Sequence, residues 1–262
     1  MGVLNVTPDS FSDGGLYADT ETAVAHGARL VDEGADIVDV GGESTRPGAA
    51  PVEPDEERRR VVPVIEGLRR ARPDAVLSVD TRRADVARAA LDAGATIVND
   101  IGAGRDPAML PLVAERGTGL VLMHKQGEPR TMQDDPHYDD VVVEVHEYLR
   151  ERVETAVFAG IEADRLAVDP GIGFGKDLAH NLALLRACAS FRDLGATVVI
   201  GASRKRFLGT LTGVEDPADR IEGSIAAAIL AVANGADAVR VHDVAATVRA
   251  LAVADAVVRG SE

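Results

Sequence analysis

"DEGADIVDVGG" at residues 32–42, "DAGATIVND" at 92–100 and "ANGADAVRVHD" at 233–243 share one grammar. Each gives the end of a helix, then Gly, Ala, a polar residue and a short β-branched run that closes on a polar group. Glycine just past a helix suits the left-handed turn that terminates it. A run of four to six mostly apolar residues reads as a strand covered on both faces. Comparable runs recur at 2–6, 36–42, 76–80, 96–100, 119–124, 166–170, 197–202 and 238–242. Helical periodicity separates them, at 21–33, 55–71, 83–93, 107–116, 138–159, 178–188, 216–234 and 244–258. Eight strands alternating with eight helices are the count of an α/β (β/α)8 TIM barrel. The competing fold is a doubly wound sheet, but no Gly-x-Gly-x-x-Gly follows the first strand. With no interior linker or low-complexity tract, residues 1–262 are expected to form a single domain.

The composition agrees with such a core. Hydrophobic residues make up 46% of the chain and aromatics only 3%, so Val, Ala, Leu and Ile must build it. The 43 acidic residues against 28 basic ones give a formal charge of −15, which argues against nucleic acid and against an anionic membrane surface as partners. No apolar run is long enough to span a bilayer and no export segment opens the chain, so a cytoplasmic setting is expected. The single cysteine, Cys188, excludes an internal disulfide and reads as a buried structural thiol within "LALLRACAS". Lysine occurs three times only, at 125, 176 and 205. That scarcity, with the acid excess, fits either a salt-rich habitat or a GC-rich genome; stability that climbs with molar KCl would mark the first.

A barrel collects its chemistry at the C-terminal ends of its strands. In order, those ends carry Asn5, "GGESTRPGA" (41–49), Asp80, Asn99 with Asp100, His124, Asp169, Ser203 with Lys205, and Arg240 with His242. Arg240 and His242, two apart on a strand, share a face and point to an anion; the alternative for these two groups is a buried ion pair with Asp39 or Asp80. Asp80 and Asp169 are candidates for metal ligation, base chemistry or recognition of N–H donors, against helix capping as the structural alternative. "GIGFGK" (171–176) lacks the spacing of a phosphate loop, and Asp177 stands where that loop needs Ser or Thr. It reads instead as a flexible loop over a ligand, with Phe174 available for stacking. Arg46, amid hydroxyls, can hold an oxyanion. Asn5 can offer an oxygen to a hard cation such as Mg²⁺. His26, His137, His146 and His180 fall on or beside helices and read as surface or packing residues.

Taken together, "MGVLNVTPDSFSDGG", "DVGGESTRPGA", "SVDT", "VND", "LMH", "DPGIGFGK", "GASRKRFLG" and "VRVHDV" resemble the dihydropteroate synthase family of pterin-binding (β/α)8 enzymes, in order and over nearly the whole chain. The resemblance implies a transferase of folate biosynthesis. It would join 6-hydroxymethyl-7,8-dihydropterin diphosphate to p-aminobenzoate, with Mg²⁺, and release diphosphate. It implies pterin contacts at Asp80, Asn99, Met123, Asp169, Gly201 and Lys205, and diphosphate contacts at Asn5, Arg46, Arg240 and His242. It further implies p-aminobenzoate contacts at Thr45, Arg46, Pro47, Phe174 and Ser203, Mg²⁺ through Asn5, and a homodimer. Asp169, Lys205, Arg240 and His242 would carry the catalysis. Arg204 and Arg206 are left to structural pairing or packing.

Two departures from the family pattern stand out. Members carry a short segment before the first strand, whereas this chain opens at "MGVLNV", so either residues have been trimmed or the barrel floor is left open. Lys125 occupies a position where an uncharged residue is expected. The rival functions are a methyl-tetrahydrofolate:corrinoid methyltransferase domain, which has no need of "STRPG" and "SRKRFLG", and a non-catalytic pterin-binding paralogue.

Overall fold

All eight β-branched runs become strands in this computed structural model, which describes residues 1–7, 15–44, 52–127, 132–258 and 260. They are β1 (Gly2–Asn5), β2 (Ile37–Gly41), β3 (Val76–Asp80), β4 (Ile97–Asp100), β5 (Gly119–Met123), β6 (Leu166–Asp169), β7 (Thr197–Ile200) and β8 (Ala238–Val239). Neighbours in sequence are neighbours in the sheet and every pair is parallel. The barrel closes where Gly2 bridges Val241: Val3 N donates to Val241 O at 2.9 Å, and Val241 N to Met1 O at 2.9 Å.

Helices fill the intervals: α1 (Gly15–Asp32), α2 (Pro54–Ala71), α3 (Ala84–Asp92), α4 (Met109–Arg116), α5 (Val141–Phe158), α6 (Leu178–Arg186), α7 (Arg206–Thr212), α8 (Ile221–Ala233) and α9 (Val244–Val258). The repeated glycines 34, 94 and 235 have φ of 98°, 115° and 102°, the left-handed exit that the shared grammar requires. Two boundaries differ from expectation. The window at 216–234 splits, because the Asp216 side chain accepts from Ala218 N and caps a separate 3₁₀ turn at Pro217–Asp219. The stretch after "SRK" is helical, as α7; its only buried pair, Phe207 and Leu208, is adjacent, so no 3.6-residue period announces it.

Parity along the strands decides what faces the barrel interior. Val38, Val40, Leu77 and Val79 are fully buried toward the helices. The alternate residues of the same strands, Asp39, Gly41, Ser78 and Asp80, point inward. The register continues this inner girdle from Asn5 through Gly41 and Asp80 to Asn99, and pairs Met123 with Asp169. A polar ring therefore sits at the C-terminal end of an otherwise apolar barrel.

Candidate active site

The centre of that ring is a buried charge network. Asp39 is fully buried, and its Oδ2 accepts from Asn99 Nδ2 at 2.9 Å and from Arg240 Nε at 2.6 Å. Arg240 Nη2 donates to Asp80 Oδ2 at 2.8 Å. Burial opposes the charge on Arg240, but Asp39 and Asp80 more than offset it and hold the guanidinium firmly protonated. Burial likewise pushes the Asp80 carboxyl up, against the pull of Arg240. The ion pair weighed from sequence as the alternative is thus present with both aspartates at once. Asp80 caps no helix: the N-terminal N–H of α3 at Ala84 is taken by Asp106 Oδ2 at 2.9 Å.

Glycines keep space open inside the ring. A Cβ on Gly41 would lie 3.4 Å from Asp80 Cβ and 3.8 Å from Asn5 Oδ1; one on Gly201 would lie 3.7 Å from Asp169 Oδ2 and 3.8 Å from Arg240 Cβ. Any longer side chain at either position would fill the gap. On the far side, Asp169 is buried; its Oδ1 accepts from Gly171 N at 2.7 Å. Burial raises the Asp169 carboxyl while Lys205 draws it down. Burial in turn lowers Lys205 to about 8. Lys205 Nζ donates to the Ile172 carbonyl and lies 4.2 Å from the centre of the Phe174 ring.

Two links join the ends of strands 7 and 8. Ser203 Oγ lies 3.0 Å from His242 Nδ1 and accepts from His242 N at 3.2 Å. Arg204, at a left-handed φ of 60°, grips Asp243 with Nη2 and Nε at 2.6 and 3.1 Å, while its N–H donates to Ser224 Oγ at 2.9 Å. Arg204 is accordingly a structural brace between the two site loops, whereas Arg206 is exposed.

The loop at 171–176 is not flexible as expected, because each of its carbonyls has a partner. Gly171 O accepts from Phe174 N at 3.1 Å, Ile172 O from Lys205 and Gly173 O from Gln133 Nε2 at 2.6 Å. Phe174 O accepts from Lys176 Nζ at 3.0 Å, Gly175 O from Tyr138 Oη at 2.9 Å and Lys176 O from Asn181 Nδ2 at 3.3 Å. A Cβ on Gly171 would fall 1.8 Å from His124 O, so the chain folds this tightly only because glycine stands there. Asp177, which spoils the phosphate-loop reading, caps α6 in a reciprocal box with His180.

Two polar residues at strand ends face away from the ring. His124 follows the inward Met123 and turns toward the helices, edge-on to Tyr148 at 4.9 Å between ring centres. Burial drops its pKa to about 3, so the ring is neutral. Asp100, the outward neighbour of Asn99, accepts from Gly102 N and Gly104 N at 2.6 and 2.7 Å and shapes the loop after β4. Asp39 was named from sequence only as a possible ion-pair partner, yet it is the hub of the network. Its parity with Gly41 in "IVDVGG" is the signal that places it. Thr45, Arg46 and Pro47 lie outside the described residues, and Cys188 is buried as expected, with Sγ against the Leu184 and Leu185 carbonyls.

Among the described residues no cluster of three or more His, Cys, Asp or Glu could cage a metal. A cation that keeps most of its waters and shares the substrate's phosphates needs only one or two protein oxygens. The Asn5 side chain at the ring's edge fits that requirement.

A family model described as "Pterin binding enzyme" matches residues 1–242. The dihydropteroate synthase of Mycobacterium leprae is 51% identical over 263 aligned residues, covering 98% of this chain and 92% of that protein. The chain belongs to the dihydropteroate synthase family. A solved dihydropteroate synthase from Xanthomonas albilineans with 4-aminobenzoic acid superposes on this family member with a TM-score of 0.92. That structure is 54% identical, covering 98% of this chain and 92% of its own. The same organism's enzyme in complex with 7,8-dihydropteroate gives a TM-score of 0.89 at 51% identity, with 98% and 92% covered. As a dihydropteroate synthase family member, the chain shares the (β/α)8 barrel of those structures.

Proposed function

We propose that the chain condenses 6-hydroxymethyl-7,8-dihydropterin diphosphate with p-aminobenzoate to give 7,8-dihydropteroate and diphosphate. The observation that carries this reading is the inward girdle of Asp80, Asn99 and Asp169 around a space kept open by Gly41 and Gly201. The aminopyrimidinone edge of a pterin is rich in N–H donors, which carboxylates and an amide oxygen can match. Asn99 is already oriented for this, because its Nδ2 is spent on Asp39 and its Oδ1 is left to accept. Lys205 would donate to the ring's acceptors, with Met123 and the Gly201 backbone as walls.

Arg240 Nη1 has no acceptor among the described residues, its other nitrogens being engaged, so it can reach a phosphate oxygen. Arg240, His242, Asn5 and Arg46 would hold the diphosphate, with Mg²⁺ bound by Asn5 and the phosphate oxygens. Bound there, the ion would offset the charge that accumulates on the departing group. The C–O bond to diphosphate breaks and its electron pair leaves with the diphosphate oxygen, aided by the cationic groups. The exocyclic carbon becomes a cation delocalised into the dihydropterin and is steadied by Asp169. The arylamine nitrogen then forms the new C–N bond and loses a proton. Ser203, Phe174, Thr45 and Pro47 would place that amine.

A homodimer belongs to this reading, supported by exposed Leu230 on α8 and Val253 and Val257 on α9; sedimentation as a monomer at micromolar concentration would contradict it. No helix among the described residues is long and apolar enough to cross a membrane, in keeping with a cytoplasmic site of action. Calorimetry with the pterin diphosphate and with methyl-tetrahydrofolate separates the synthase from the methyltransferase. Binding of the first alone is expected, and binding of the second alone would overturn the reading.

A further inference from the structure

Behind the site wall lies an ammonium group that the mechanism above does not use. Lys176 is 2% exposed and so cannot touch a substrate. Its Nζ donates to His124 Nδ1 at 2.9 Å and to the Phe174 carbonyl at 3.0 Å, with the Tyr138 ring centre 5.9 Å away. Its direct polar partners among the described residues are thus an imidazole nitrogen and a carbonyl oxygen, and Asp169 acts on it only through space. A buried cation without a carboxylate in contact among the described residues is unfavourable for folding, and a methionine of similar length would be tolerated more easily there.

We propose that Lys176 is a positioning residue for the second substrate, its ammonium shared between His124 and the Phe174 carbonyl so that the Phe174 ring is held where p-aminobenzoate docks. The geometry is specific. The same residue whose carbonyl Lys176 grips from behind turns its ring forward over Lys205, which is itself bonded to the Ile172 carbonyl two residues earlier. His124 is oriented for this task by facing the helices rather than the ring of site residues, and its neutral Nδ1 accepts. The inference rests on the reading that Phe174 walls the p-aminobenzoate site.

Steady-state kinetics of Lys176→Met provide the test. KM for p-aminobenzoate should rise about tenfold, while kcat and KM for the pterin diphosphate stay near wild type and the unfolding midpoint does not fall. In a Phe174→Ala background the same substitution should add nothing, since its route of action is gone. His124→Leu should reproduce the split and His124→Gln, which keeps an acceptor, should restore p-aminobenzoate binding. These two variants decide the matter if Lys176→Met does not fold. Unchanged kinetics, or a joint loss of kcat, both KM values and stability, would overturn the proposal. If the wild-type protein shows no turnover, the functional reading fails instead. Amide exchange across residues 171–176 then tests the latch itself: faster exchange in Lys176→Met is expected, and unchanged exchange refutes it.

Discussion

Arg240 Nε stands 2.6 Å from Asp39 Oδ2, tying the last strand of the barrel to the second. Because the same carboxylate oxygen also accepts from Asn99, one buried aspartate orients both a guanidinium and an amide of the inner ring.

Removing Asp39 leaves Arg240 with Asp80 as its carboxylate partner but strips the buried acceptor from both Arg240 Nε and Asn99 Nδ2. Asp39→Ala should therefore lower the unfolding free energy by about 3–5 kcal/mol. Asp39→Asn should lose less, since its amide oxygen can still accept from Arg240. Urea titration reads both, and wild-type midpoints would show that the pair contributes nothing to the folded barrel.

Lys205 and Asp169 are expected to act on the reacting pterin. Lys205→Ala and Asp169→Asn should each reduce kcat/KM by at least ~100-fold, about 2.7 kcal/mol of transition-state stabilisation. Kinetics like the wild type's for either variant would remove that residue from the site.

Activity should also depend on the charge of Lys205. Burial lowers its pKa to about 8, so the group is cationic below that value and neutral above it. kcat/KM for the pterin diphosphate should accordingly decline as pH rises through about 8. Lys205→Arg, weaker overall, should keep a flat profile there because arginine stays charged. A wild-type profile that is level from pH 7 to about 9.5 would contradict the assignment.

Lys176 carries a signature in stability as well. Burial lowers its pKa from 10.5 to about 7. Below about 7 the lysine is charged in both folded and unfolded states, and the full cost of burying it is present. Between the two values the unfolded chain binds more protons, so stability rises with pH. Lys176→Met should thus gain most over wild type below about pH 7, with the gap narrowing toward about pH 10.5. A gap independent of pH would show that Lys176 is not a buried cation.

Much of this was legible in the chain, for identifiable reasons. The glycines at 34, 94 and 235 announce helix exits, and the short, mostly apolar runs behind them announce the strands. Strand parity also separates Asn99 from Asp100 and Met123 from His124, although reading strand ends as whole groups merges them. What the sequence hides is contact between distant segments. Asp39 and Arg240 are separated by 201 positions, and Lys176 and His124 by 52, so no local spacing reveals either pair. Rigidity in "GIGFGK" is hidden for the same reason. A glycine-rich string looks loose until the side chains of Gln133, Tyr138, Lys176 and Asn181 are seen on its carbonyls.

The most direct test is diphosphate release from 6-hydroxymethyl-7,8-dihydropterin diphosphate with Mg²⁺, measured with and without p-aminobenzoate. Release that requires p-aminobenzoate and yields 7,8-dihydropteroate in equal amount is the predicted result. Tight binding of the pterin with no release under either condition would contradict it and leave a pterin-binding barrel that does not perform the condensation.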